Sequence, residues 1–181
     1  ILRIQVRRII LIFFVLWPMS LHADLNFNYG SGVAAKTDYA EKSLITSMEK
    51  VGDRIYAVGV HGIIIFSDDN GDTWTQADFV PYQNTITDIS CSSENMCWAT
   101  GHDATILHSS DGGINWVKQY DDYDFDAPLL SIHMYDDKEG LAIGAFALSL
   151  RTSNGGESWD YLFLDDDDYQ PHLNYVYGDN Q

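Results

Sequence analysis

The groups available for chemistry are few in kind. The chain of 181 residues holds two cysteines, six histidines, 27 Asp or Glu and ten Lys or Arg. Cys91 and Cys97 flank Ser92-Ser93-Glu94-Asn95-Met96, a polar turn between two strand-like runs. In an oxidising compartment that placement makes them a disulfide candidate across a hairpin, the alternative being two buried thiols acting as small apolar residues. Two cysteines without a second pair or well-spaced histidines leave a zinc tetrahedron unfilled. The acidic runs Asp121-Asp122-Tyr123-Asp124-Phe125-Asp126 and Asp165-Asp166-Asp167-Asp168-Tyr169 offer oxygens for a hard cation such as calcium. No EF-hand loop with its terminal Glu accompanies them, and they read first as solvated loops. No G-x-S-x-G sequence occurs, so a serine nucleophile has no motif behind it. These readings predict no metal and no cofactor.

Charge narrows the partners. The formal net charge is −17, and a nucleic-acid binder must instead supply cations that replace condensed counterions. Nucleic acid is therefore excluded. Arg3, Arg7 and Arg8 all precede the earliest acid, Asp24, and Ile9 to Trp17 is an unbroken apolar run followed by Pro18-Met19-Ser20-Leu21-His22-Ala23. That is the order of a secretory signal peptide over residues 1–23, cleaved after Ala23, with residues 24–43 as a lead-in segment. The apolar stretch is shorter than the roughly 20 residues a bilayer-spanning helix needs, and no Cys follows it for lipid attachment. The expected location is periplasmic or extracellular.

The elements that position these groups come from a repeat. Ser67-Asp68-Asp69-Asn70-Gly71-Asp72-Thr73-Trp74 is matched by Ser109-Ser110-Asp111-Gly112-Gly113-Ile114-Asn115-Trp116 and by Thr152-Ser153-Asn154-Gly155-Gly156-Glu157-Ser158-Trp159. The tryptophans recur 42 and then 43 residues apart. Gly59, Gly101 and Gly144 each stand eight residues before the Ser or Thr of a copy, closing short apolar runs. Each period thus contains four strand candidates: an apolar first strand, a second ending in Gly, a third leading into the octapeptide and a fourth starting at Trp. Four antiparallel strands at this period are the blade pattern of a β-propeller, in which each sheet covers its neighbour's apolar face. Within the octapeptide, Gly71, Gly113 and Gly156 supply a positive φ, and Asp69, Asp111 and Asn154 accept bonds from the turn's own N–H groups. Trp74, Trp116 and Trp159 are expected to bury about 150–250 Å² each between sheets.

These octapeptides resemble the Asp-box, or BNR repeat. The longer pattern, seen in Ile89…Cys97-Trp98-Ala99-Thr100-Gly101…Thr105-Ile106-Leu107…Ser109-x-Asp111-Gly112-Gly113-x-x-Trp116, is similar to the photosystem II stability/assembly-factor type of BNR propeller. The resemblance covers residues 44 to 181. It implies an all-β propeller of four-stranded antiparallel blades, here 44–84, 85–127 and 128–170, with 171–181 beginning a fourth. Because a closed propeller generally needs at least about four blades, the expectation is a fragment or an array that further blades complete. The resemblance also implies that the boxes, namely Ser67, Asp69, Gly71 and Trp74, Ser109, Asp111, Gly113 and Trp116, and Thr152, Asn154, Gly156 and Trp159, are architecture on the blade periphery. Its functional expectation is a non-catalytic module docking a protein partner of a membrane complex.

Antiparallel geometry sorts the loops into two faces. The second-to-third connections and the links between blades share one, expected to surround the channel mouth, and loops on a rigid scaffold carry binding. The candidate binding residues are His61, Tyr82, His102, Asp103, Tyr123, Phe125, Asp126, Phe146 and Tyr169. His61 lies two residues after its glycine and His102 one, so the pair reads as independent surface residues rather than metal ligands. Two alternatives remain at this level, a sialidase-like or other glycosidase propeller and a carbohydrate-binding or adhesive surface protein. The first needs an arginine cluster for an anionic sugar, and beyond residue 23 only Arg54 and Arg151 remain.

Overall fold

The computed structural model describes residues 32–122, 124–125, 127–162 and 171–178; the expected signal segment and the run 163–170, with Tyr169, lie outside them. The architecture is three four-stranded antiparallel sheets, each built from consecutive strands. The first holds β1 (Ile45–Val51), β2 (Arg54–Gly59), β3 (Ile64–Ser67) and β4 (Thr75–Gln76). The second holds β5 (Ile86–Cys91), β6 (Cys97–Gly101), β7 (Ile106–Ser109) and β8 (Val117–Tyr120). The third holds β9 (Leu129–Met134), β10 (Gly140–Gly144), β11 (Ser149–Thr152) and β12 (Asp160–Tyr161). The fourth strands begin one residue after Trp rather than at it, because the indole still belongs to the turn. Residues 171–178 form no strand, although Leu173 N–H donates to the Gly144 carbonyl at 2.9 Å and Val176 N–H to Ser131 Oγ at 3.2 Å.

Each octapeptide closes its third-to-fourth turn with the same bonds. Gly71 N–H donates to Ser67 Oγ at 2.8 Å, Gly113 N–H to Ser109 Oγ at 2.9 Å and Gly156 N–H to Thr152 Oγ1 at 2.8 Å. Asp69, Asp111 and Asn154 accept from the N–H of Thr73, Asn115 and Ser158 at 2.8, 2.9 and 3.0 Å. Two consecutive residues, not one, take positive φ: Asn70, Gly112 or Gly155, then the glycine named above. Thr73 is the main reason that Asp69 is held down to about 2, through its hydroxyl and then its N–H, with Ser67 adding to it.

The second and third indoles point back toward the preceding blade. Trp116 packs with Tyr56, Val58, Ile64 and Phe66 of the first sheet, and Trp159 with Trp98, Ala104 and Ile106 of the second. Trp74 departs from the burial expected of it: it is half-buried, against Ala57, Ile63, Ile65 and Ala40 of the short 3-10 turn Ala40–Lys42. Aromatics of the second strands reach forward in return. Tyr56 hydroxyl donates to the Glu94 carbonyl at 2.6 Å, and Trp98 Nε1 to the Gly155 carbonyl at 3.2 Å in the next blade's box. Both faces of the middle sheet are thereby covered, which is why β6 is buried at all five positions. Cys91 and Cys97 sit opposite each other on β5 and β6 and are joined as a disulfide.

Two stability outcomes follow from these contacts. A Cβ at Gly113 would sit 2.8 Å from Cε1 of buried Tyr56 at a φ of +81°. Gly113→Ala is therefore expected to lower unfolding free energy by about 2 kcal/mol or more, read by urea denaturation, whereas Asn70→Gly, at an exposed site with φ +59°, stays within a few tenths. A melt unchanged by Gly113→Ala would contradict this packing. Reducing the disulfide, whose cysteines are six residues apart, should lower stability by about 2 kcal/mol from loop closure.

Candidate functional site

The second-to-third connections are mirror-image tight turns. Ile63 N–H donates to the Val60 carbonyl at 3.1 Å, Thr105 N–H to His102 at 3.2 Å and Leu148 N–H to Ala145 at 3.1 Å. Their central pairs, His61-Gly62, Asp103-Ala104 and Phe146-Ala147, all have φ between 48° and 71°. Such turns match strand twist but favour Gly and Asn, and for L-residues the left-handed region costs about 1–2 kcal/mol each. Five of the six positions carry a Cβ, so the surroundings must hold them. They do so from both sides. The first N–H of each turn bonds to its own blade's lead, Val60 to Leu44, His102 to Thr85 and Ala145 to Pro128. The N–H at the third position bonds to the link into the next blade: Gly62 to Asn84 and Ala104 to Ala127, both at 2.8 Å, and Ala147 to Pro171 at 2.7 Å.

This bracketing puts turns and links on one face and presents one side chain per blade at an equivalent place: His61, Asp103 and Phe146. His61 and Phe146 are exposed, Phe146 at 49%, and Asp103 is half-buried with Asn84 Nδ2 donating to it at 2.7 Å. The Phe146 ring lies 5.1 Å from His172. His102 is exposed one position earlier and does not share their register. Tyr82, expected at the mouth, is instead buried at 5%, its hydroxyl donating to the His102 carbonyl at 2.9 Å, so it props the turn from beneath. Tyr123 and Asp126 lie outside the described residues. Phe125 is 41% exposed and meets Tyr161, whose hydroxyl donates to Asp122 at 2.6 Å. Asn84, Asp122 and Tyr161 were absent from the sequence-derived set. Asp122 lies within an acidic run noted in the sequence and Asn84 at the end of an inter-blade link, whereas Tyr161 sits in a two-residue outer strand with no signal of its own.

Below the mouth, the first strands β1, β5 and β9 stand side by side around the axis. Each would present an unpaired edge, a liability in any sheet. Side chains of one blade satisfy the next. Thr46 and Thr87 hydroxyls donate to the carbonyls of Ile86 and Leu129 at 2.6 and 2.7 Å. Glu49 accepts from Cys91 N–H at 2.7 Å, Asp88 from Ile132 N–H at 3.0 Å and Ser90 from Met134 N–H at 3.0 Å. Asp88 also takes the hydroxyls of Ser47 at 2.7 Å and Ser131 at 2.8 Å, tying three blades with one carboxylate. Burial pushes Glu49 up to about 7, Cys91 N–H opposing the shift and Asp88 adding to it. These acids are spent on backbone and hydroxyl partners, an arrangement suited to holding strands rather than to proton transfer on a substrate.

Comparison with known proteins agrees with this architecture. A family model described as photosynthesis system II assembly factor YCF48 matches residues 77–171. The photosystem II assembly lipoprotein Ycf48 of Synechococcus sp. (strain CC9902) is 30% identical over 113 residues, 61% of this chain and 34% of that protein. Among solved structures, YCF48 bound to D1 peptide aligns with a TM-score of 0.59 at 22% identity, over 66% of this chain and 40% of that one. YCF48 from Cyanidioschyzon merolae aligns at 0.57 and 20%, over 66% and 39%. An ancestral GH74 enzyme aligns at 0.58 and 13%, over 73% and 19%. The three structures share the fold, and the chain spans about two fifths or less of each of these relatives.

The channel wall makes a pH prediction. Glu49 has a folded value of about 7 against an ordinary 4.5, so its contribution to stability is full below the lower value and is lost as pH rises through the upper one. Glu49→Gln keeps an acceptor for Cys91 N–H without the charge. It should match the parent near pH 4 and exceed it above neutrality by roughly 1–3 kcal/mol in urea denaturation. A constant difference across that range would contradict the burial assigned to this carboxylate.

Proposed function

The chain belongs to the photosynthesis system II assembly factor YCF48 family, and from that membership we propose that it is a non-catalytic assembly module whose bracketed turns and inter-blade links dock a protein segment of a membrane complex. The observation that carries the reading is the docking face itself, where rigid strands present His61, Asp103 and Phe146 in equivalent positions while the boxes occupy the other side. A solved relative with the same fold is YCF48 bound to D1 peptide, which makes a D1 segment the first ligand to try. The basic-then-apolar start through Trp17 and the lipoprotein named among the relatives support work outside the cytoplasm, on the periplasmic or an equivalent side.

Exposed apolar groups on a preformed surface carry a large share of docking energy. A D1 peptide titrated against the full chain by fluorescence anisotropy is expected to bind. The pair His61→Ala with Phe146→Ala should weaken it about tenfold or more. Asp69→Asn, a box change on the opposite face that reproduces the chemistry at Asn154, should leave it unaltered. Equal losses from both variants, or no binding of any membrane-complex segment, would overturn the reading.

A further inference from the structure

We propose that the corner formed by Tyr120, Phe125, Tyr161 and Asp122, where the second and third blades meet on the docking face, receives a cationic side chain of the partner, best met by the guanidinium of an arginine. The macromolecular setting rests on the docking reading above; the chemistry is read from the corner itself. Phe125 and Tyr161 are 41% and 43% exposed, with ring centroids 6.5 Å apart and planes inclined at 61°, two walls of an open angle. Tyr120 hydroxyl donates to Tyr161 Oη at 3.2 Å, and Tyr161 donates onward to Asp122 Oδ2 at 2.6 Å. The other oxygen, Oδ1, accepts from the N–H of Asp124 and Phe125, both at 3.2 Å. The carboxylate is thus fixed beside two aromatic walls. The Tyr161 hydroxyl above all holds Asp122 below the usual carboxylate range, and burial first, then Asp122 and Tyr120, keeps Tyr161 a neutral donor.

Three ligand classes compete for such a corner, and charge separates them. An anion meets Asp121, Asp122 and Asp124 together. A neutral apolar group would strip water from Asp122 and bring no opposite charge, at a desolvation cost. A cation gains from an aromatic ring face and the carboxylate together. The protein already contains this combination elsewhere: Arg54 lies 4.5 Å over the Phe66 ring and forms two bonds to Asp68, at 2.6 and 2.8 Å. The corner repeats its ring and its carboxylate without the cation. Lys118, a cation close by in sequence, is 2.9 Å from Asp121.

The test uses the full chain and two small probes of equal shape, N-acetyl-arginine amide and the uncharged N-acetyl-citrulline amide, followed by NMR. The arginine probe should give saturable shifts of the Phe125 and Tyr161 ring resonances, and the citrulline probe none. Asp122→Asn and Phe125→Leu should each weaken the arginine probe about fivefold or more, with spectra unchanged elsewhere as the check of folding. Equal response to both probes, or an unaltered affinity in both variants, would overturn the inference. A D1 peptide that binds through His61 and Phe146 while the corner stays silent would overturn it alone. A corner that takes arginine in a chain that binds no protein segment would instead overturn the docking reading.

Discussion

A four-stranded sheet that is apolar on both faces survives in water only if something covers each face, and this constraint shapes the protein at every level. Burying apolar surface stabilises by about 25 cal/mol per Å², so an indole left wet forgoes several kcal/mol. The junctions meet the demand reciprocally. Trp116 and Trp159 reach back into the sheet before them, while Tyr56 and Trp98 reach forward into the blade after them. At the axis, where side chains thin out, the demand becomes one of hydrogen bonding. Glu49, Asp88 and Ser90 take the N–H groups that the first strands of the following blades leave unpaired.

The face of the second-to-third turns inherits its rigidity from those junctions. A left-handed Phe or Ala is unstable in isolation, yet Phe146 and Ala147 persist because the link into the following stretch and the blade's own lead each hold one N–H of the turn. Remove a neighbour and the turn loses half its support before any contact surface is touched. Side chains at the mouth are therefore positioned by packing between blades, and a fault in that packing should appear at the face as a loss of geometry.

Much of this was legible in the residues because a repeat reports geometry three times. The Ser or Thr, the acid or amide, the glycine and the tryptophan of each box have local partners within seven residues, and local chemistry is what sequence shows best. The less legible parts are non-local. The second left-handed position was written as Asn70, Gly112 and Gly155, residues that favour positive φ, but only comparison of the copies makes it stand out. Tyr82 looks like any aromatic in a polar link, and only the fold reveals that its ring sits in the inter-blade core under His102. Glu49 and Cys91, 42 residues apart, and Asp122 and Tyr161, 39 apart, meet because consecutive blades lie side by side. The half-buried state of Trp74 follows from direction, which spacing alone does not encode.

The acidity of the chain takes on meaning once its carboxylates are sorted by what they hold. Those of the boxes and the channel wall are bonded inward: Asp69 to Thr73, Asp111 to Asn115, and Asp88 to three blades. At Asp111, partial burial pushes upward, but the bonds from Asn115 and Ser109 outweigh it and leave the acid lowered. Such groups are committed to the fold and offer little to a visitor. The acids of the inter-blade links are different, because the ladder bonds of the strands do not depend on them. The link acids are therefore the carboxylates that could answer to a partner's charge without loss of strand pairing.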